Sequence, residues 1–446
     1  MSGERDRRDM RDSEASGQAQ GAPEGAGRGW AATPLSRRAA LRLAGVAVGG
    51  ALAAGFVGYQ HATDVPEGAR TAQTQMYEYI QDRPKFKSPA FMLGNRLADS
   101  ILAFGSSDFA TLPGEISTVP RAQFGWRDHG LDLWCVGEGF NQSLWHGIAM
   151  AAYQEAASRT AAPADALPEG VFDARTSNKA VFIISPQWFF EGGVPSNATQ
   201  TQFGYELWRL ACQNPNVDPA RLDYLAGRLR AEGIDARQVA APRHETLPDT
   251  LNDYAFSFQE GHTIATKLDQ YTRTHGDTIL WPKHHLEAKD GVPDWEALAK
   301  SAVEEGARQS ANNDFGMLDS FWAEKNAGDF AAGKLKGFFK NRTLLAAPTE
   351  DGDLDCALGI ASDCGYDLLC VLLPFPGDWA DYEQLDRNNR EQRYALMRKA
   401  CSDHGMRVAD FTGEEYTRYF IYDGTHLGWL GWVRVEQAIY EFALGA

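Results

Sequence analysis

Five short apolar runs punctuate the chain beyond residue 100: Ile101–Phe104, Leu131–Val136, Ala180–Ile184, Leu368–Leu373 and Met406–Phe411. Three of them, Ile101–Phe104, Ala180–Ile184 and Leu368–Leu373, contain no charged residue at all. Uninterrupted apolar runs of this length suit strands covered on both faces, as in a parallel sheet. Segments with helical spacing lie between them, such as Leu144–Ala157 after the second run and Arg390–His404 before the fifth. Alternation of strand and helix predicts an α/β fold with a five-stranded, mainly parallel sheet.

The interval from about 190 to 360 is too long for one crossover. Its amphipathic pieces, among them Pro219–Glu232 and Trp295–Gln309, predict a largely helical insertion beside the substrate cleft. No repeat is visible, so residues 100–446 read as one domain with an insert, preceded by a linker and lead-in helix over 64–99.

The amino-terminal pattern differs. Residues 1–36 are polar and rich in Gly, Ala and Ser, the composition of a disordered tail. From Leu43 to Thr63 no side chain carries a formal charge, and 21 residues at about 1.5 Å each cover a hydrocarbon core of about 30 Å. Arg37, Arg38 and Arg42 precede this run, which orients the amino terminus to the cytoplasm. Residues 37–63 therefore read as a transmembrane anchor; the twin arginines and Ala51-Leu52-Ala53 also fit a cleaved export signal. Either way the body of the protein is expected outside the membrane.

Composition narrows the function. The 446 residues carry a net charge of −17, and the first 42 contribute +2 of that balance, leaving −19 on the remainder. Such a surface is wrong for a general nucleic-acid binder. Six cysteines in so long a chain are no disulfide framework, although Cys356, Cys364 and Cys370 allow a bridge. Neither CxxC nor HExxH occurs, which leaves a zinc site without support.

The candidate chemistry sits at strand ends. Ile101–Phe104 runs into Gly105-Ser106-Ser107-Asp108, two hydroxyls and a carboxylate after a permissive glycine. Strand ends of this kind collect reactive groups in open α/β sheets, though Ser and Asp are also ordinary helix caps. Near the carboxyl end, Asp423 and His426 are three apart in a glycine-containing turn, a spacing that can present both to one site. A hydroxyl, a base and an acid to orient the base make a nucleophilic triad. No Gly-x-Ser-x-Gly elbow is present, because Phe109 stands at the second glycine position. Two further loops offer glycine N–H groups and amides: Gly137-x-Gly139-x-Asn141-Gln142 after the second run, and Ser185-Pro186-Gln187-Trp188 after the third. Gln142 at the third glycine position excludes a simple dinucleotide fingerprint.

The blocks FGSSDF, GEGFNQSLWH, ISPQWF, NNDFGMLDSFW, LLPFPGDWADY and DGTHLGWLGW, in this order over about residues 70–440, resemble the DltD family. That resemblance implies a membrane-anchored protein of teichoic acid D-alanylation, with an SGNH-hydrolase-like three-layer α/β/α fold and a helical insertion. It implies Ser107 as nucleophile, with Ser106 an open alternative, and Asp423 and His426 as its acid and base. The Ser107 and Gly139 N–H groups and Gln187 would line an oxyanion hole, with Gln142 and Trp188 beside them. Two positions depart from the pattern: Asp108 stands where the family usually carries Glu, and Gln187 where ordinary SGNH enzymes carry Asn. No cofactor is implied. The implied partners are a membrane-bound O-acyltransferase, a D-alanyl carrier protein and lipoteichoic or wall teichoic acid, and Lys334–Arg342 is either a receiving patch for that polymer or a solvated helix face. A secreted esterase or O-acetyltransferase, and a non-catalytic scaffold presenting the polymer, are the alternatives.

Overall fold

The computed structural model describes residues 100–111, 115–124, 128–159, 178–191, 193, 196–240 and 289–445, together with residue 89. The expected tail (1–36), membrane segment (37–63) and nearly all of the lead-in (64–99) lie outside the described residues, as does 241–288 of the insertion. No helix among the described residues is long and apolar enough to cross a membrane.

The strands are β1 (Ser100–Phe104), β2 (Asp132–Val136), β3 (Lys179–Ile184), β4 (Asp367–Leu372) and β5 (Arg407–Asp410). They form one sheet in the order β2-β1-β3-β4-β5, and every neighbouring pair is parallel. The five apolar runs thus all become strands, shifted by a residue or two at their ends. β5, one of the two edge strands, is the least buried, whereas β2 at the other edge is covered on both faces.

The longer helices are α1 (Ser143–Arg159), α2 (Tyr205–Gln213), α3 (Pro219–Ala231), α4 (Trp295–Gln309), α5 (Pro348–Asp363), α6 (Arg387–Asp403) and α7 (Trp429–Leu444). Their starts follow local chemistry: Asp218, Asp294 and Asp386 each accept a hydrogen bond from a first-turn N–H of the helix that follows. Register divides the sheet into two faces. Val136, Phe104, Phe182 and Cys370 lie side by side and pack into a core with α1, α2, α3, α5 and α6. Cys135, Ala103, Val181 and Leu369 form the adjacent row and pack with α4 and α7 on the other side. Three layers, α/β/α, result.

Within the stretch between β3 and β4, α5 packs along α1 as a layer helix and is the crossover into β4. Residues 334–342 form a succession of turns, not a helix face; Lys336, Lys340 and Arg342 are exposed there. All six cysteines are buried and none is in a disulfide, so Cys356, Cys364 and Cys370 make no bridge. Burial pushes the Cys356 and Cys364 thiols up to about 12, which keeps them protonated and inert.

Candidate active site

In a sheet ordered 2-1-3-4-5 the connections leave β1 in opposite directions, and the crevice they open at its carboxyl end is where such folds bind ligands. Gly105 caps β1 there, its N–H donating to the Val136 carbonyl at 3.0 Å. Ser107 then begins a four-residue 3-10 turn, Ser107–Ala110, in place of a full helix. Ser106 is buried and turns away, its hydroxyl donating to the Glu138 carbonyl at 3.4 Å. Of the two serines it is Ser107 that faces the imidazole, its hydroxyl 2.6 Å from His426 Nε2.

The opposing loop registers itself. Asp423 Oδ1 accepts from the N–H groups of Thr425 and His426, both at 2.7 Å, the local turn its sequence favours. Its other oxygen, Oδ2, lies 2.6 Å from His426 Nδ1. With Nδ1–H donating to that carboxylate, Nε2 carries the lone pair and accepts from the Ser107 hydroxyl. Asp423 thus divides its oxygens, one holding the turn and the other meeting the imidazole.

Asp108 adds a charge that the triad pattern does not call for. It is buried, and its Oδ1 accepts from the Leu427 N–H at 3.5 Å. Burial pushes its carboxyl above the usual range, against the pull of the nearby His426 charge. Burial alone would push His426 down; the charge and hydrogen bond of Asp423, with Asp108 behind them, reverse the sign and hold it up at about 9. Proton acceptance from Ser107 requires the neutral imidazole. Ester turnover by this site is therefore expected to climb about tenfold per pH unit through neutrality and to level off near the His426 value. Initial rates measured between about pH 6 and pH 10 check it, and a profile flat from pH 6 upward would remove His426 as the base.

The remaining expected residues distribute as follows. Gly139 lies beside Ser107: a Cβ placed on it would be 3.8 Å from Ser107 Cβ. The N–H groups of Ser107 and Gly139 have no partner among the described residues, leaving both open to an anion. Gly137 serves a different purpose from the one its sequence suggested. At φ 136° a Cβ there would come within 1.9 Å of the Gly105 carbonyl oxygen, so the glycine admits the neighbouring backbone, not a ligand. Gln187 is half-buried on the 3-10 turn Pro186–Phe189 at the end of β3, the strand next to β1. Trp188 is buried, stacked on the His146 ring at 5.9 Å, and belongs to the core. Gln142 is half-buried in the wall of a cavity of about 230 Å³ that starts at Phe140 and Gln142 and extends past Gln202 to Arg228 and Asp353. Phe140 reaches this rim from a left-handed backbone (φ 68°) with its ring largely exposed.

Two further residues support the Gly139 loop, of which Asn141 was visible in the sequence and Gln202 was not. Gln202, buried, donates from Nε2 to the Gly139 carbonyl across 63 positions. Asn141, fully buried, accepts from the Glu138 N–H at 2.6 Å and braces the same loop. A carboxylate directly after Ser107 was visible at Asp108; only its closeness to His426 was not. No group of three His, Cys, Asp or Glu side chains able to hold a metal ion occurs among the described residues.

A family model described as "DltD protein" matches residues 169–444, more than half of the chain. The chain belongs to the DltD family. Relatives include the proteins named "Protein DltD" from Bacillus subtilis (strain 168), 27% identical over 385 residues that cover 85% of this chain and 89% of the relative, and from Staphylococcus aureus (strain NCTC 8325 / PS 47), 23% identical over 275 residues that cover 61% and 68%. The Lacticaseibacillus rhamnosus "Protein DltD" is 23% identical over 282 residues, 59% of this chain and 64% of its own. The match over 169–444 takes in Gln187, Asp423 and His426, while Ser107 and Gly139 lie ahead of it.

Proposed function

We propose that this chain transfers D-alanyl groups to lipoteichoic or wall teichoic acid outside the cell, through an acyl-enzyme on Ser107. The observation that carries the reading is the continuous line of hydrogen bonds from the Ser107 hydroxyl through His426 to Asp423, together with membership of a family implicated in D-alanylation of teichoic acid. His426 takes the Ser107 proton as the oxygen attacks the carbonyl of a D-alanyl ester or thioester. The oxyanion that forms is met by the N–H groups of Ser107 and Gly139, with Gln187 at the neighbouring strand end. Collapse of the tetrahedral species returns the proton from His426 to the leaving alcohol or thiol. A polymer hydroxyl then surrenders its proton to His426 and attacks the acyl-serine, releasing the D-alanyl ester and restoring the Ser107 hydroxyl.

In this reading the fold is SGNH-like, and residues 37–63 hold the domain at the outer face of the membrane. A membrane-bound O-acyltransferase and a D-alanyl carrier protein supply the activated group. The strongly negative balance of the chain opposes a polyphosphate acceptor, and the exposed Lys336, Lys340 and Arg342 offer it a local positive approach.

Intact-protein mass spectrometry after incubation with a D-alanyl thioester tests the chemistry. One alanyl group is expected on the wild-type and Ser106→Ala proteins and none on Ser107→Ala. Labelling that survives Ser107→Ala would assign the nucleophile elsewhere.

A further inference from the structure

The carboxyl ends of β3 and β4 enclose a second pocket, of about 190 Å³. Its walls are the rings of Phe190, Phe339, Phe375 and Trp379, and one side is the Gly424–Thr425 backbone. That segment separates Asp423 from His426, and the Thr425 hydroxyl is 3.3 Å from His426 Nδ1. The pocket therefore borders the loop that carries Asp423 and His426.

A single ionisable side chain, Glu383, lines it. Glu383 is 7% exposed, and among the described residues its carboxylate meets neither a cation nor a hydrogen-bond donor. Several other buried carboxylates are answered, Asp353 by Arg228 and Tyr224, Glu415 by Arg390 and Tyr394 and Asp423 by His426; Glu436 also lacks a hydrogen-bond partner among the described residues, but it lies outside this pocket. A carboxylate facing four aromatic rings and open to a cavity is matched to a cation. The carboxylate supplies the counter-charge, and ring faces attract a cation within about 6 Å. Phe190 stacks on Phe339 at 4.8 Å and meets Phe375 edge-on at 5.8 Å, so these walls support one another. The Phe375 N–H donates to the Tyr394 hydroxyl at 2.9 Å, which fixes that wall to the Glu415–Arg390 network. An anion such as a phosphate has no cationic side chain to meet here.

We propose that this pocket binds the α-ammonium of the aminoacyl group being transferred, with Glu383 as its counter-ion and the aromatic rings as its walls. The proposal rests on the acyl-transfer reading above and names what that site recognises. An aminoacyl group carries its ammonium on the carbon next to the reacting carbonyl, so recognition beside His426 would select alanyl donors over simple acyl ones. Burial pushes empty Glu383 up to about 8, and an arriving ammonium would draw the carboxyl into its charged form.

Binding without turnover separates this proposal from the reading beneath it. In the Ser107→Ala protein, ligand-observed NMR is expected to show D-alanine methyl ester binding at least about tenfold more tightly than methyl propionate. Adding Glu383→Gln should abolish that preference, Glu383→Asp should keep part of it, and Phe339→Leu should reduce it several-fold. Melting curves of each variant within a few degrees of the parent show that the fold is kept. Equal affinity for the two esters, or a preference unchanged by Glu383→Gln, overturns the ammonium site. Absence of acyl-enzyme in the wild-type protein alongside intact, Glu383-dependent binding would instead strike the transfer mechanism and leave the pocket standing.

Discussion

Replacing Ser107 by alanine is expected to bring the D-alanine ester content of the envelope down to that of cells lacking the protein, with protein levels unchanged. Only the hydroxyl 2.6 Å from His426 Nε2 is removed; the partly exposed position needs no repacking. Knocking out one member of a triad costs about as much as removing all three, because the members act as a unit. A purified-enzyme rate on a D-alanyl thioester should therefore fall by about 10⁴-fold or more for Ser107→Ala and to a similar floor for His426→Ala. Ser106→Ala, which loses only a bond to the Glu138 carbonyl, should retain most of the activity. Ester content that stays normal in Ser107→Ala cells would convert the chain into a scaffold for the polymer.

Gly137→Ala is expected to be as damaging by a different route. The new methyl would sit 1.9 Å from the Gly105 carbonyl oxygen, and the residue would be held at φ 136°, which alanine rarely adopts. Neither neighbour is a flexible side chain that can step aside. Overpacking of this kind together with a forbidden backbone region costs on the order of 3 kcal/mol or more. Thermal unfolding should show a fall in Tm, and the surviving folded protein should lose acyl-enzyme formation, since the two loops carrying Ser107 and Gly139 would be pushed apart. Gly139→Ala makes the control: its nearest neighbour is 3.8 Å away and its φ is not in the left-handed region. Unchanged stability in Gly137→Ala would mean that the loops have room to separate.

Much of the fold was legible because a parallel sheet covered on both faces demands uncharged strands, and Ile101–Phe104, Ala180–Ile184 and Leu368–Leu373 could be little else. The weaker signals were at the rim. Asp132 and Arg407, charged residues at strand starts, blurred the edges of β2 and β5. Of the site, the polar residues at strand ends could be nominated, but not which way they face. Trp188 and Gln187 are neighbours in one short motif, yet the first is buried in the core and the second half-exposed. The Ser107–His426 contact spans 319 positions and Gln202–Gly139 spans 63, and no local pattern encodes either. Glu383 was invisible for the same reason: a glutamate in a helical stretch gives no hint that Phe190 and Phe339, from distant segments, will join its neighbours Phe375 and Trp379 around it.

Asp423 and His426 lie on one short loop that fixes its own shape, just ahead of the final helix, whereas the serine they serve is near the start of the folded domain. Synthesis proceeds from the amino end, so His426 follows Ser107 by 319 positions. On the proposed mechanism, a chain that lacks the docked His426 loop would hold an unactivated hydroxyl, and competence would appear in one step when that loop docks. Loss of that segment alone would leave a protein with its sheet largely made and nothing to start the reaction.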